Sequence, residues 1–295
     1  MHVDDQPWKY LDDLALLRTA LTFTESATGF SARLVEKDYY CSLLLYDFAL
    51  AFQRGMVFKG GTCLSKVYAD FYRFSEDLDF VIPIEIKAPR AERRAIIVPF
   101  RDHLMRLSER LPCFHSAEPL RGFNLSKQYI GRYAYRSLVT GQSEFIKVEI
   151  GLREPLFDPI ELRWARTMLL DPFSNAPALA PIAVNVMSIR ETYAEKFRAA
   201  LTRREPAVRD FYDIAHAVHT QILHLNDARL VEIIRAKLAV PDNAAVDVSE
   251  RRLEALRRQL EPQLKPVLRP ADYMSFDLDR ALRIVLELAR IGLRL

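Results

Sequence analysis

Cysteine is scarce: Cys41, Cys63 and Cys113 are the only three in 295 residues, and they lie far apart. They form neither a zinc spacing nor a disulfide framework, so a reducing cytoplasm is the expected setting. Long hydrophobic runs are also missing. The most apolar segment, Cys41 to Phe52, is interrupted by Asp47 and is shorter than the roughly 20 residues a membrane-spanning helix needs. It reads as a buried helix. Met1-His2-Val3-Asp4-Asp5 is acidic where a secretory signal starts basic, so no export and no membrane are expected. There is no internal repeat and no low-complexity tail. An excess of charge of one sign is lacking too: 42 Lys and Arg stand against 39 Asp and Glu, a net charge of +3. That tolerates a nucleic-acid partner without arguing for one. What remains is ordinary for a soluble globular protein, with 50% hydrophobic and 27% charged residues and enough length for one large core or two modest ones.

Hydrophobic spacing predicts helix from Trp8 to Gln53, with Leu11, Leu14, Leu17 and Leu21 on one stripe and Glu36 to Phe52 as a second segment. Met56-Val57-Phe58 is a short apolar run, followed by Lys59-Gly60-Gly61 and a helical pattern through Tyr72. Leu78 to Ile82 reads as a strand, Pro89 to Arg110 as a charged helix, and Gln128 to Val139 and Glu144 to Leu152 as strands. In the last of these, Ile146, Val148, Ile150 and Leu152 alternate with Phe145, Lys147 and Glu149, the period of a half-buried strand. Asp171 to Pro181 has the composition of a connector. Beyond Ser188 only helices are expected: Ser188 to Arg204, Ala207 to Leu225, Asp227 to Leu238, Ser249 to Leu260 and Asp277 to Leu293. The expected fold is α+β, a mixed sheet flanked by helices over residues 1–182 and an all-helical domain over residues 183–295.

One stretch carries chemistry. Gly60 and Gly61 sit between a predicted strand and a predicted helix, where glycine lets the backbone approach a ligand and free helix-start amides favour phosphate oxygens. Thr62 or Ser65 would add a hydroxyl and Lys66 a positive charge, although a Gly-Gly pair before a helix is often only a tight turn. Asp77 and Asp79, two apart at the start of a strand, direct both carboxylates to one side. Two such charges about 4 Å apart repel by roughly 4 kcal/mol at an effective dielectric near 20, a cost that cations between them would offset. Mg²⁺ suits the position, because it takes one or two carboxylates and leaves its other places to water and phosphate. Glu149, on the face of its strand opposite Ile146, Val148 and Ile150, is the candidate third carboxylate; a surface glutamate beside Lys147 is the alternative.

These residues carry a resemblance. Gly60-Gly61-Thr62-x-Leu64-Ser65-Lys66 followed by Arg73-x-Ser75-x-Asp77-x-Asp79-Phe80 resembles the first motif of the AbiEii/AbiGii nucleotidyltransferase toxins, of the polymerase-β-like nucleotidyltransferase superfamily. Glu36-Lys37-Asp38-Tyr39-Tyr40 resembles the family's early helix and Lys147-Val148-Glu149-Ile150 its third-carboxylate strand. Ala194-Glu195-Lys196-Phe197-x-Ala199 resembles its lysine motif, and Arg209-Asp210-Phe211-Tyr212-Asp213-Ile214 its Asp-x-Tyr-Asp motif. The matches are scattered over residues 36–215. Cys113 to Phe145 and the chain after Leu225 align with no motif, so acceptor specificity is not carried over.

The resemblance implies the toxin of a toxin–antitoxin or phage-defence system, with a cognate antitoxin encoded alongside. It implies transfer of a nucleotide from a nucleoside triphosphate to an RNA acceptor, the tRNA 3′ end in some relatives. Two Mg²⁺ ions would be held by Asp77, Asp79 and Glu149, with Gly60, Gly61, Thr62, Ser65, Lys66 and Ser75 seating the triphosphate for in-line attack on the α-phosphorus. Ser75 matches a serine that is phosphorylated in some relatives; a phosphate beside Asp77 would repel the triphosphate. Lys196 would neutralise charge on the phosphates, with Arg203, seven residues on, in a lesser role, and Asp210 would hold Lys196 in place; a solvated helix face is the competing view of these side chains. Transfer to a protein or small molecule, and a non-catalytic nucleotide-binding module, are the alternatives. His216 and His219 have no third ligand at helical spacing except Asp213, so a metal site there is not expected. Arg251, Arg252, Arg257, Arg258, Lys265 and Arg269 either hold an RNA backbone or form a solvated face with Glu250 and Glu254 as partners.

Overall fold

The computed structural model describes residues 8–52, 55–241 and 243–293. Met1 to Asp5, on which the expectation of no export signal rests, and Gln53 lie outside the described residues. The chain divides into two compact units, Met1–Pro155 with Ile160–Val186, and Leu156–Pro159 with Met187–Leu295.

The first unit opens with three helices, α1 (Lys9–Asp12), α2 (Leu14–Thr28) and α3 (Ala32–Ala51), where sequence periodicity suggested a helical region with a second segment from Glu36 to Phe52. The breaks have local causes. The Asp13 carboxylate accepts the amides of Ala15 and Leu16 at 3.0 and 2.9 Å, capping α2, and Gly29 ends that helix in the left-handed conformation at φ 76°. The following strands and helices are β1 (Val57–Lys59), α4 (Gly60–Cys63) continuing as a π-helical turn over Leu64–Tyr68, and β2 (Leu78–Val81). The charged helix expected from Pro89 forms as three pieces, α5 (Arg90–Ile96), α6 (Val98–Met105) and α7 (Leu107–Arg110). Then come β3 (Phe114–Phe123), β4 (Gln128–Arg136), β5 (Ser143–Gly151), β6 (Glu161–Ala165) and β7 (Ile182–Val186).

All seven strands form one mixed sheet in the order β3-β4-β5-β2-β1-β7-β6. β2 is its central strand, antiparallel to β1 and parallel to β5. Alternation along the strands divides the sheet into two faces. Phe58, Leu78, Phe80, Ile146, Val148, Ile150, Tyr129 and Tyr133 are all buried and share one of them. α3 lies over that face, with Phe48 edge-on to Phe80 at 5.4 Å and Tyr40 stacked on Tyr135 at 3.8 Å between ring centroids. Having sheet and neighbouring segments on several sides, α3 is buried nearly all round, including Glu36, Lys37 and Asp38. The opposite face of the sheet carries Lys59, Asp79, Lys147 and Glu149.

The strands β3, β6 and β7 were not expected from the sequence. β3 and β6 are the two edges of the sheet, and edge strands keep polar, exposed residues that blur the alternation; β3 also holds Pro119 and Gly122.

In the second unit every regular element among the described residues is helical: α8 (Ile189–Thr202), α9 (Val208–His219), α10 (Ala228–Ala239), α11 (Glu250–Arg257), α12 (Pro270–Ser275) and α13 (Leu278–Leu293), with short π and 3₁₀ turns over Leu260–Val267. Leu156–Pro159 joins this unit through polar ties. Glu191 Oε2 accepts the amides of Phe157 and Asp158 at 2.9 and 2.8 Å, and Arg190 and Arg229 bind the Asp158 carboxylate at 3.3 and 3.1 Å. A wholly buried Lys237–Glu191 pair at 2.9 Å closes the group. Among the described residues no helix is long and apolar enough to cross a membrane.

Candidate active site

The sheet register brings the candidate carboxylates together. Asp79 on β2 is paired with Glu149 on the parallel strand β5 and with Lys59 on the antiparallel strand β1, so the three side chains form one row on the open face. Neighbouring strands are about 4.8 Å apart. At that spacing two carboxylates repel by roughly 3 kcal/mol at an effective dielectric near 20. Asp77 stands just before β2, on the same side two residues back.

The electrostatics follow. Burial, then the neighbouring Glu149 and Asp77, push the Asp79 carboxyl up to about 6. A positive charge answers the crowding. The Lys147 ammonium lies 2.8 Å from Asp77 Oδ2 and 3.4 Å from Glu149 Oε2. Burial alone would lower the Lys147 pKa, but Asp77, Asp79 and Glu149 more than offset it and hold the group charged. The other oxygen of Glu149, Oε1, accepts from Gln128 Nε2 at 2.6 Å.

Gly60 and Gly61 have to be glycine for different reasons. Gly60 has φ +79°, and a Cβ there would come within 2.5 Å of Asp79 Oδ2 and 3.0 Å of Asp79 Cβ. The Asp79 carboxyl therefore lies directly against the Gly60 backbone. A Cβ on Gly61 would collide with the Arg73 guanidinium and come within 2.9 Å of Ser75 Oγ. The half-buried Ser75 thus packs on the second glycine.

Three of the residues expected to seat a triphosphate are otherwise engaged. The Thr62 hydroxyl donates to the Asp77 carbonyl, and Ser65 Oγ donates to the Arg73 carbonyl at 2.7 Å. Both tie the helical turn after the glycines to the loop that presents Asp77. Lys66 is fully buried, with its ammonium 2.6 Å from Asp38 Oδ1 and 2.7 Å from Ser42 Oγ on α3. An ammonium so enclosed has its charge matched inside the fold, so Lys66 anchors the helical turn to α3. The early helix motif has the same logic throughout. Glu36 accepts from Ser137 Oγ and the Leu138 amide, both at 2.5 Å, Lys37 pairs with Glu76 at 2.6 Å, and Asp38 also accepts the Met168 amide at 2.8 Å. These charges are internal fastenings, of which Lys37 reaches the loop that leads to Asp77, through Glu76.

In the second unit, Lys196 Nζ lies 2.7 Å from Asp210 Oδ1 and 2.9 Å from Asp213 Oδ2, and Arg203 Nη1 reaches Asp210 Oδ2 at 3.2 Å. Asp210 and Asp213 are buried, while the Arg203 side chain is half exposed. Asp210 thus bridges both basic residues of α8 and its end. His216 stacks on Tyr212, and burial first of all lowers its pKa, so the ring stays neutral near pH 7. The C-terminal basic residues are largely matched by their own neighbours. Arg257 pairs with Glu250 and Asp279 at 3.5 and 3.2 Å, Arg258 with Glu254 at 3.6 Å, Lys265 with Glu261 at 2.7 Å and Arg269 with Asp272 at 2.5 Å. Arg252 is buried and donates to the carbonyls of Arg203 and Ala200 at 2.8 and 2.6 Å, so it is a packing residue and no part of an RNA-facing surface.

Two residues at the carboxylates were passed over in the sequence, Lys147 as a catalytic candidate and Gln128 altogether. Lys147 had a signal: its position two before Glu149 on an alternating strand puts both on one face. Gln128 had none, since its approach depends on the β4–β5 register.

Among the described residues no group of three or more His, Cys, Asp and Glu side chains is already closed around an ion position. The donor set nonetheless fits a hard divalent cation: all-oxygen ligands from Asp77, Asp79 and Glu149, with the Lys147 ammonium standing where positive charge is needed.

A mixed sheet thus brings carboxylates of β5, β2 and the residue before β2 together beside a glycine turn, and a helical unit follows in the chain. The chain belongs to the family described as Nucleotidyl transferase AbiEii toxin, Type IV TA system, whose model matches residues 43–283. It is similar in fold to the crystal structure of JHP933 from Helicobacter pylori, with a TM-score of 0.51 and 16% identity over 90% of this chain and 94% of that one. A second H. pylori crystal structure, proposed to be of a nucleotidyltransferase, matches with a TM-score of 0.52 and 15% identity over 90% of this chain and 96% of that one. No curated protein matches the chain.

Proposed function

We propose that this nucleotidyltransferase toxin transfers a nucleoside monophosphate from a nucleoside triphosphate to an RNA acceptor, with the tRNA 3′ end as the acceptor that would block translation. The observation that carries the site is the in-register pairing of Asp79 with Glu149, with Asp77 alongside and Gly60 beneath. Asp77, Asp79 and Glu149 are the ligands for Mg²⁺, two ions in the family pattern. Bound there, Mg²⁺ would make the attacking hydroxyl more acidic and neutralise the departing pyrophosphate.

The chain's own groups supply the rest. Gly60 lets the Asp79 carboxyl pack directly on the turn, and Gly61 does the same for Arg73 and Ser75. Gln128 fixes the Glu149 carboxylate by its Oε1 atom, orienting it toward the row it shares with Asp79. Thr62 and Ser65 act indirectly, by holding the loop from Arg73 to Asp77 in place, and Lys66 by holding the helical turn to α3. The role of Lys196 on the phosphates, with Asp210 positioning it, stands on the family motif and on the Lys196–Asp210 contact at 2.7 Å.

The test is incorporation of α-labelled nucleotides into separated pools of tRNA, protein and metabolites, with Mg²⁺, by the wild type and Asp79→Asn. Label in tRNA that falls by at least about 100-fold in the variant supports the proposal. Label in protein or metabolites instead would transfer the same chemistry to another acceptor, and incorporation unaffected by Asp79→Asn would end the catalytic assignment.

A further inference from the structure

We propose that Lys147 is the resident cation of the carboxylate cluster: its ammonium holds Asp77 and Glu149 together in the absence of a metal ion and withdraws from Asp77 when one binds. The inference rests on the assignment of Asp77, Asp79 and Glu149 as metal ligands.

The argument begins with which oxygen atoms are already in contact. Asp77 Oδ2 faces the Lys147 ammonium at 2.8 Å, and Glu149 Oε2 faces it at 3.4 Å. Glu149 Oε1 is taken by Gln128. A divalent ion needs such oxygens at direct coordination distance, about 2.0–2.1 Å for Mg²⁺, and a cationic N–H donor beside the same oxygens opposes it. The ammonium therefore has to move for Asp77 to coordinate through Oδ2, the oxygen on the side of Glu149. Lysine is built for this, as a compact charge on a flexible four-carbon stem, where the planar fork of arginine would stay pinned. The side chain is 27% exposed, between Asp77 at 41% and Glu149 at 25%, so it has solvent to swing into while its contacts are only partly screened.

The arrangement also explains how the strands tolerate their acids. Asp79 and Glu149 are neighbours in register on the two central strands, where like charges oppose pairing. Without a metal ion, the Lys147 charge is what offsets them from inside the cluster, together with Lys59 at the end of the row.

Two variants test this: Lys147→Met, which keeps the stem, and Lys147→Arg, which keeps the charge but stiffens it. Mn²⁺ binding is read by electron paramagnetic resonance of the free ion, and thermal stability by calorimetry with and without metal. Lys147→Met is expected to bind Mn²⁺ about tenfold more tightly than wild type, the change that corresponds to 1.4 kcal/mol. Its metal-free Tm should fall by about 3 °C or more, and saturating Mn²⁺ should restore it. Adding Asp79→Asn to Lys147→Met should recover part of the metal-free Tm, because one of the three crowded acids is then neutral and only Asp77 and Glu149 remain to repel each other. Lys147→Arg should bind Mn²⁺ more weakly than wild type. Affinity that is unchanged or lower in Lys147→Met overturns the proposal, and so does a metal-free Tm equal to that of wild type. Should neither wild type nor Lys147→Met bind Mn²⁺, the metal assignment of the carboxylates fails and the withdrawal falls with it. The metal-free Tm cycle with Asp79→Asn then still decides whether Lys147 is the charge that holds the cluster. If Lys147→Met does not fold, Lys147→Gln takes its place in the same measurements.

Discussion

Replacing Gly60 by alanine tests whether the glycine turn and Asp79 form one unit. The new Cβ would lie 2.5 Å from Asp79 Oδ2, where ordinary contact begins at 3.4 Å. The carboxyl must therefore retreat by about 0.9 Å, or the turn must shift by as much. A displacement near 1 Å at a reacting group costs on the order of 100-fold in rate. Alanine at φ +79° adds about 1–2 kcal/mol of backbone strain, a Tm loss of roughly 2–4 °C for each kcal/mol. Gly141→Ala separates the two effects, because Gly141 has φ +69° but nothing within 4 Å of its would-be Cβ. Both variants should lose stability by calorimetry, Gly60→Ala the more because its clash with Asp79 adds to the backbone strain they share. Only Gly60→Ala should lose nucleotide incorporation, by about 100-fold, when assayed well below its Tm. Equal incorporation by the two variants would refute the reasoning, since the close packing of Asp79 on Gly60 would then have no bearing on the chemistry.

Lys66→Met should destabilise the protein by about 3–5 kcal/mol, because Asp38 is left buried without its cation; combining it with Asp38→Asn should restore much of the Tm and the incorporation activity together. A double variant that regains stability but stays inactive would show that the Lys66 charge meets the nucleotide after all. The Asp47 carboxylate gives a pH signature. Burial alone would raise its pKa, but His103 and Arg110, at 2.7 and 2.8 Å, bring it below the usual value. The folded state therefore binds this proton less readily than the unfolded chain, so the stabilisation is complete above an unfolded pKa of about 3.9 and is lost as pH falls below it. The Tm gap between wild type and Asp47→Asn should accordingly shrink from pH 5 to pH 3; a gap that is constant across that range would contradict the assignment.

Much of the architecture is legible in the residues because its signals are local. The alternation from Phe145 to Leu152 marks β5 and its two faces, and Gly60-Gly61 between an apolar run and a helical stripe marks the turn. Other features depend on distant partners and leave no local trace. Lys66 resembles a phosphate-facing lysine until Asp38 and Ser42 on α3 enclose it, and Thr62 and Ser65 look like ligand hydroxyls until the loop at Arg73 to Asp77 accepts their protons. The strands β3 and β6 escape notice because an edge strand has one side to satisfy and keeps a mixed composition. Lys147 shows a third kind of difficulty. Its face follows from a two-residue period, but its role appears only when β2 is laid beside β5 and the acids of both strands converge on it.

The parallel pairing of β2 with β5 has a consequence for synthesis. Parallel neighbours cannot be joined by a tight hairpin, and here α5, α6, α7, β3 and β4 all intervene between Val81 and Ser143. The glycine turn and its two aspartates therefore leave the ribosome well before the strand that completes them. On the proposed assignment of the carboxylates, a product of interrupted translation that stops short of Glu149 lacks the third acid and the strand that carries it, so nucleotidyl transfer would begin only once most of the sheet has been built.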